Sequence, residues 1–271
     1  MKISFIGAGS MAEAIISGII EKGVAAPQQV MATNRSDEEK LARLQSNYDI
    51  QVTYDNKALF DGTDIVVLAV KPKDAEEVLQ KIKHYLQPQT LFISVLAGIS
   101  ITYLESILKV QCPIVRAMPN TSATIGKGAT ALAFNERVTA TDQKLALSLF
   151  HAVGIAEVVA EEQLDAITGL SGSGPAYIYY IVEAMEQSAA EIGLEKEMAK
   201  NFILQTLSGA TEMLQKPGNT AQNLRQAVTS PGGTTEAGIN ILQQHQVKEA
   251  FISCIKEAML KSKKLGAAFD R

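Results

Sequence analysis

The stretch Lys2-Ile-Ser-Phe-Ile-Gly-Ala-Gly-Ser-Met-Ala12 decides the fold of this 271-residue chain. An apolar strand runs directly into a turn that contains Gly7 and Gly9, and Ala12 follows three residues later. This spacing is typical of dinucleotide-binding units, in which the first glycine allows a tight turn, the second lets the backbone approach a pyrophosphate, and a small third residue permits close helix packing. A helix beginning near Ser10 would present free N–H groups to the phosphates. The alternative is a glycine-rich turn without a ligand.

Apolar segments alternate with helical patterns through the first 160 residues. Strands are predicted at residues 3–6, 29–33, 50–52, 65–70, 90–96, 113–118, 129–134 and 155–159. Such alternation is typical of a doubly wound α/β sheet, so residues 1–160 are predicted to form a dinucleotide-binding Rossmann domain. Residues 161–271 read as helices only, for example where apolar side chains recur at helical spacing from Ile178 to Ile192. We therefore expect a second, all-α domain for dimerisation and substrate binding.

The segment Asn34-Arg35-Ser36 follows the second predicted strand, at the position that selects the cofactor in this type of domain. NAD-dependent enzymes place an acidic residue there to bind the ribose 2′-hydroxyl, whereas a cation and hydrogen-bond donors suit a 2′-phosphate. The sequence therefore favours NADP(H), with NAD as the alternative cofactor. The other interpretation of Arg35 is a solvated loop charge, because Asp37, Glu38 and Glu39 lie nearby and partly offset it.

A second segment expected to face the cofactor, Ala69-Val-Lys-Pro72, ends the apolar strand at residues 65–70. An uninterrupted apolar strand is typical of a parallel sheet covered on both faces, and the carboxyl ends of such strands face the cofactor crevice. We expect these four residues to lie along the path from adenosine to nicotinamide, with Pro72 starting the next helix. On spacing alone, a structural position at the turn explains Lys71 as well as cofactor contact does.

Composition and charge restrict the class of protein. The chain has a net charge of −4 with 46% hydrophobic and 20% charged residues, which is ordinary for a globular protein and gives no attraction to nucleic acid or acidic membranes. Cys112 and Cys254 lie far apart without a CxxC or Cys/His cluster, so neither a disulfide framework nor a metal site is predicted. No stretch resembles a signal peptide or a membrane span, and a cytoplasmic location is expected.

The helices beyond residue 160 carry apolar faces that are wider than a lone surface helix needs. The last of them has Val247, Phe251, Ile255 and Met259 at helical spacing. We expect these faces to be buried against a second copy of the chain, giving a homodimer through the helical domain. The alternative is a self-contained bundle packed on its own sheet domain.

Two glycine-rich segments occur within the helical region, at residues 165–177 and 227–238. In the second, Pro231 and two glycines precede a helix predicted from about Thr234, so backbone N–H groups and hydroxyls converge at the positive end of a helix. This arrangement suits a small carboxylate. The alternative is an ordinary turn between helices, capped by Ser and Thr side chains.

The order of these segments resembles the pyrroline-5-carboxylate reductase family. The resemblance rests on five motifs, which are Ile6-Gly-Ala-Gly-Ser-Met11, Ala69-Val-Lys-Pro72, Met118-Pro-Asn-Thr121, Thr168-Gly-Leu-Ser-Gly-Ser-Gly-Pro-Ala-Tyr177 and Ser230-Pro-Gly-Gly-Thr-Thr235. They span the chain, and the last two are far more diagnostic than the dinucleotide fingerprint. The resemblance implies reduction of L-Δ1-pyrroline-5-carboxylate to L-proline by NADPH or NADH, the final step of proline synthesis. It also implies an interleaved helical homodimer that commonly assembles further, into a decamer.

The resemblance implies which residues contact the ligands. Cofactor contacts are expected, beside the fingerprint residues Gly7 and Gly9, at Ala8, Ser10, Met11, Asn34, Ser36, Asn56, Ala69, Val70, Lys71 and Ala97. Substrate contacts are expected at Glu161, Thr234 and Thr235, with Ser230, Gly232 and Gly233 forming a turn for the carboxylate of the cyclic imine. An asparagine that some members place before this turn is Ala227 here, so no side-chain contact is expected from that position.

Hydride transfer to C5 of a cyclic imine requires two flat rings held face to face and a fixed carboxylate. Protonation of the imine nitrogen makes C5 more electrophilic. Thr235 is the candidate donor, directly or through a water, because it starts a helix beside the carboxylate turn. His84, His151 and His245 lie outside the motifs, and surface or packing roles are expected for them.

Two other functions stay open at this point. β-Hydroxyacid dehydrogenases also join a Rossmann domain to helices, but they use a lysine and an asparagine four residues apart, a spacing that Lys196, Lys200 and Asn201 do not show. A regulatory or scaffold protein that binds NADP without catalysis is the second alternative.

Overall fold

The computed structural model describes residues 1–269, and its N-terminal part is built on one eight-stranded sheet. The strands are β1 (Ile3–Ile6), β2 (Val30–Thr33), β3 (Gln51–Val52), β4 (Ile65–Leu68), β5 (Leu91–Ser94), β6 (Ile114–Met118), β7 (Gly128–Phe134) and β8 (Gly154–Val158). Their spatial order is β3-β2-β1-β4-β5-β6-β7-β8. The order reverses between β1 and β4, and ligands bind at such a switch point in doubly wound sheets.

The first six strands are parallel, whereas the last two run the opposite way. β7 pairs antiparallel with β6, and β8 pairs parallel with β7. A parallel return from β6 would need a crossover of a dozen or more residues. The connection from Met118 to Gly128 holds a short 3-10 turn, Thr121–Ile125, so the chain folds back as an antiparallel neighbour. The sequence analysis predicts these strands but not their direction.

Helices connect the strands and bury one face each against the sheet. They are α1 (Ser10–Glu21), α2 (Glu38–Tyr48), α3 (Asn56–Phe60), α4 (Ala75–Ile82), α5 (Ile101–Leu108) and α6 (Ala140–His151). Several begin at the polar residue expected of a helix start, since Asp37 accepts the N–H of Lys40, and Ser100 accepts that of Tyr103. The buried residues form two clusters, one containing Phe5 and the other Phe92.

The segment after β8 is helical, including most of the first glycine-rich segment. A 3-10 turn (Glu161–Gln163) leads into α7 (Leu164–Ile167) and then into a wider π-type turn, Thr168–Gly172. A Cβ on Gly172 would lie 2.8 Å from Cε of Met118, so this turn packs closely against the end of β6.

Five further helices complete the chain: α8 (Gly174–Glu191), α9 (Lys196–Gln215), α10 (Ala221–Ala227), α11 (Thr234–Gln244) and α12 (Val247–Gly266). The predicted fold class, a Rossmann sheet domain followed by an all-α region, is confirmed. The domain limits 1–160 and 161–271 stay a prediction. In the single chain one compact unit is Ala176–Ile255, and the other contains Met1–Pro175 with the chain end from Lys256. The limits differ because residues such as Leu164 and Ile167 pack in the sheet core.

Among residues 1–269, none of the helices combines the length and the apolar composition that crossing a bilayer requires. The same residues contain no group of three or more His, Cys, Asp or Glu side chains placed to hold a metal ion.

Candidate active site

The turn from β1 into α1 has the backbone shape of a dinucleotide phosphate site. Gly7 has φ +106°, and its N–H donates to the carbonyl of Thr33 at 2.9 Å. A Cβ on Gly7 would lie 2.6 Å from the carbonyl carbon of Ala69, so only glycine fits. Gly9 precedes α1, and no described atom lies within 4 Å of where its Cβ would be. Open space therefore adjoins the positive end of α1, which suits a pyrophosphate.

A cavity of about 280 Å³ adjoins this turn at the carboxyl ends of β1 and β2. Its lining includes five of the predicted cofactor residues, namely Gly7, Asn34, Arg35, Asn56 and Val70. The structure thus brings together residues that lie far apart in the sequence.

Asn34 shapes the loop between β2 and α2 through its own side chain. Its Nδ2 donates to the carbonyl of Asp37 at 2.6 Å, and its Oδ1 accepts the N–H of Asp37 at 2.9 Å and the hydroxyl of Tyr54 at 3.1 Å. The next residue, Arg35, has an 80% exposed side chain whose Nη1 lies 3.9 Å from Oδ1 of Asp74. Arg35 lines the cavity, and its guanidinium is exposed to solvent, where an anion can reach it.

The other cofactor candidates lie at the same end of the strands. Ala69 follows β4 and donates its N–H to the carbonyl of Ile6 at 2.8 Å. Lys71 is exposed, and Pro72 opens a 3-10 turn before α4. Ala97 is half-buried after β5. The remaining candidates are Ala8, which is buried, Ser10 and Ser36, which are exposed, and Met11, which is half-buried. Their contacts with a cofactor stay predictions.

Glu161 belongs to a shielded ion pair. Its Oε1 lies 2.9 Å from Nη1 of Arg116 on β6 and accepts the N–H of Ile101, the first residue of α5, at 2.8 Å. The side chains of Arg116 and Glu161 are 9% and 27% exposed. Sequence reasoning missed Arg116, although a cation within the otherwise apolar segment Ile114–Met118 is a usable signal for a buried ion pair.

The second glycine-rich segment is a tight turn that leads into α11. Gly232 has φ +71°, and the N–H of Gly233 donates to the carbonyl of Ser230 at 3.0 Å, as in a type II turn with proline at its second position. Glu236 accepts the N–H of Gly232 at 2.8 Å. Within the described residues no side chain caps α11. Its first amides, with the hydroxyls of the exposed Thr234 and Thr235, therefore form a set of donors suited to a carboxylate.

Comparisons with known proteins address both units of the chain. A family model described as pyrroline-5-carboxylate reductase dimerisation matches residues 161–265, and a model described as NADP oxidoreductase, coenzyme F420-dependent, matches residues 2–98. Among solved structures, that of Plasmodium falciparum pyrroline carboxylate reductase with NADP bound has a TM-score of 0.90 and 33% identity, covering 98% of each chain. A pyrroline-5-carboxylate reductase from Coxiella burnetii has a TM-score of 0.89 and 40% identity, covering 97% of this chain and 98% of that one.

Curated relatives give the same result at full length. Pyrroline-5-carboxylate reductase 2 of Bacillus subtilis (strain 168) is 45% identical, over 100% of this chain and 99% of that protein. A pyrroline-5-carboxylate reductase of Methanosarcina acetivorans is 38% identical over 98% of both. The family resemblance read from the motifs is therefore confirmed, and the chain belongs to the pyrroline-5-carboxylate reductase family.

Proposed function

We propose that this protein reduces L-Δ1-pyrroline-5-carboxylate to L-proline, the last step of proline biosynthesis, with NADPH as hydride donor and NADH as the alternative. The observation that carries the proposal is the full-length likeness to pyrroline-5-carboxylate reductases, because it covers the sheet unit and the helical unit together. A cytoplasmic location is part of the proposal and is supported by cysteines that form no disulfide within residues 1–269.

The residues around the first turn fit a dinucleotide. We propose that the backbone from Gly7 to Met11 holds the pyrophosphate and that Arg35 and Ser36 bind the 2′-phosphate. When bound, NADPH supplies the hydride that reduces the imine carbon. The residues proposed to line the path from adenosine to nicotinamide are Asn34, Asn56, Ala69, Val70, Lys71, Pro72 and Ala97.

The turn before α11 is the proposed carboxylate receptor. A carboxylate there would accept hydrogen bonds from amides of the first helical turn and from the hydroxyls of Ser230, Thr234 and Thr235, and the helix dipole would favour its charge. Glu161 is proposed to contact the substrate through Oε2, because the hydrogen bonds from Arg116 and Ile101 both use Oε1. Fixing the planar ring in this way would convert hydride transfer into a reaction between oriented groups.

Thr235→Ala should lower kcat/KM for the imine by on the order of tenfold or more, because the substrate nitrogen loses a positioned proton donor. NADPH affinity should be unchanged, and Thr235→Ser, which keeps the hydroxyl, should retain most of the activity. Steady-state kinetics and a binding titration measure these effects. Unchanged kinetics in Thr235→Ala would remove Thr235 from the catalytic role.

We propose that the helical unit forms a homodimer. Among the described residues of this unit, the buried apolar side chains are those of Ala189, Ala199 and Ile203. Large exposed apolar residues are numerous in the same unit and include Ile178, Tyr179, Tyr180, Phe202, Leu204, Leu214 and Ile241. Exposed apolar surface of this extent marks an interaction site. A decamer built from such dimers stays a prediction from the family resemblance.

Analytical ultracentrifugation at micromolar concentration should therefore give a dimer or a larger assembly, because separating the chains would return these side chains to water. A single monomeric species would contradict the proposed interface.

The proposed activity is tested by NADPH oxidation with purified protein. Consumption of NADPH should depend on added Δ1-pyrroline-5-carboxylate, and no NADPH should form when the protein is incubated with NADP⁺ and β-hydroxyacids. Binding of NADPH without any consumption would favour the regulatory alternative.

A further inference from the structure

Asp74 ends the 3-10 turn Pro72–Asp74 and lies directly before α4. Its backbone is helical (φ −96°, ψ −2°), so its side chain is not placed to accept hydrogen bonds from the first backbone N–H groups of α4, as a capping aspartate would. In the part of the chain that the structure describes, the Asp74 side chain makes no such bond to α4. Its Oδ1 instead lies 3.9 Å from Nη1 of Arg35, and the side chain is only 29% exposed. The carboxylate therefore faces the cavity that Arg35 also lines.

A second carboxylate of α4 lines the same cavity. Oε1 of Glu77 lies 2.6 Å from Nζ of Lys81, which is also part of the lining. The hydrogen bond and charge of Lys81 lower the pKa of Glu77, and the charge of Arg35 lowers it further. Glu77 is therefore a charged carboxylate at neutral pH. The cavity is lined by two cationic side chains, Arg35 and Lys81, and by two carboxylates, Asp74 and Glu77.

We infer that Asp74 and Glu77 are specificity-determining residues that oppose Arg35 in the choice between NADPH and NADH. This inference rests on the proposed function. A 2′-phosphate carries up to two negative charges, so both carboxylates repel it, and Asp74, whose Oδ1 lies 3.9 Å from Nη1 of Arg35, also competes with it for the guanidinium. A ribose 2′-hydroxyl is neutral and can donate a hydrogen bond to a carboxylate.

Asp74 provides an acidic group that the residues directly after β2 do not provide. NAD-selective domains bind the 2′-hydroxyl with an acidic residue at the tip of the second strand. Here that tip is followed by Asn34, Arg35 and Ser36, and the acidic groups come from the start of α4. The protein thus combines groups that suit the 2′-phosphate, Arg35 and Ser36, with two carboxylates that suit the 2′-hydroxyl, and it accepts both cofactors.

The test uses adenosine 2′,5′-bisphosphate and ADP as probes, with binding to the full-length protein measured by calorimetry at fixed ionic strength. Asp74→Asn and Glu77→Gln should each strengthen binding of the bisphosphate about threefold to tenfold relative to ADP, as expected for one unit charge removed at this range. Arg35→Gln should weaken binding of the bisphosphate relative to ADP. The differences in this affinity ratio between the variants and the wild-type protein should become smaller as salt is added.

Glu76→Gln is the matched control, because it removes the same charge from the same helical turn but lines a different cavity, beside Tyr103. Melting curves check that each variant is folded, and Glu77→Gln tests the inference even if Asp74→Asn is unstable. The inference is overturned if neither variant changes the ratio of affinities, or if Glu76→Gln changes it as much.

The outcome separates this inference from the proposed function. Normal turnover of Δ1-pyrroline-5-carboxylate with unchanged affinity ratios would overturn the inference alone. Failure of the wild-type protein to bind either probe or NADPH would overturn both.

Discussion

Gly7→Ala should destabilise the sheet unit and remove dinucleotide binding. The native φ of +106° is unfavourable for alanine, and the new Cβ would lie 2.6 Å from the carbonyl carbon of Ala69 and 3.0 Å from the nitrogen of Val70. Both atoms are backbone, so relief requires the neighbouring strands β1 and β4 to shift. We expect the free energy of unfolding to fall by about 2–4 kcal/mol. NADPH affinity should fall by roughly a hundredfold or more, because the displaced turn loses backbone hydrogen bonds to the pyrophosphate and each bond to a charged group contributes about 1.5–3 kcal/mol.

Substitutions at two other glycines distinguish the effect on stability from the effect on NADPH binding. Gly62 also has a positive φ, of +62°, but no described atom lies within 4 Å of its Cβ position, so Gly62→Ala should cost only about 1 kcal/mol. Gly9 has an ordinary φ of −74° and open space, so Gly9→Ala should keep wild-type stability and lose NADPH affinity because its methyl group enters the pyrophosphate site. Wild-type NADPH binding by Gly9→Ala, or equal stability of Gly7→Ala and Gly62→Ala, would contradict the assignment.

Arg116→Leu should lower the free energy of unfolding by about 3 kcal/mol, because removing one partner leaves a poorly hydrated charge without its counterion. Glu161 would keep the N–H of Ile101 but lose the guanidinium at 2.9 Å. Since Glu161 is also a proposed substrate contact, KM for the imine should rise. Denaturant titration at constant protein concentration measures the stability, because stability of an oligomer depends on concentration.

An exposed ion pair provides the control. Nη1 of Arg137 lies 3.1 Å from Oε1 of Glu105, with side chains 42% and 38% exposed, so Arg137→Leu should cost less than about 1 kcal/mol. The double variant Arg116→Leu/Glu161→Gln should recover part of the stability lost in Arg116→Leu, because it removes the unpaired charge. If Arg116→Leu and Arg137→Leu lowered the free energy of unfolding equally, burial would not make the Arg116–Glu161 pair more stabilising than an exposed pair.

Local sequence signals were sufficient for most of the fold. The apolar segment Ile65–Leu68 is buried along its whole length, as a central parallel strand should be. The reversed direction of β7 and β8 was not predictable from strand patterns. It depends on the short connection between Met118 at the end of β6 and Gly128 at the start of β7, which is too short for a parallel crossover.

Site residues within one short segment were predictable from the sequence. Those that come together only through tertiary contacts were not. Gly7 and Gly9 act through the backbone of their own turn, so their spacing reveals them. Arg116 and Glu161 lie 45 residues apart, and their pairing arises because the 3-10 turn Glu161–Gln163 folds beside β6. Asp74 lies two residues after Pro72 in the first turn of a helical segment, and only the folded chain shows its carboxylate beside Arg35.

The central claim is hydride transfer to C5 of the imine ring, and a tracer measures it most directly. Purified protein is incubated with Δ1-pyrroline-5-carboxylate and NADPH that carries deuterium at both C4 positions, and the product is analysed by mass spectrometry. The account predicts proline with one deuterium at C5 and one NADPH consumed for each proline formed. Proline without deuterium, or NADPH oxidation without proline, would contradict it.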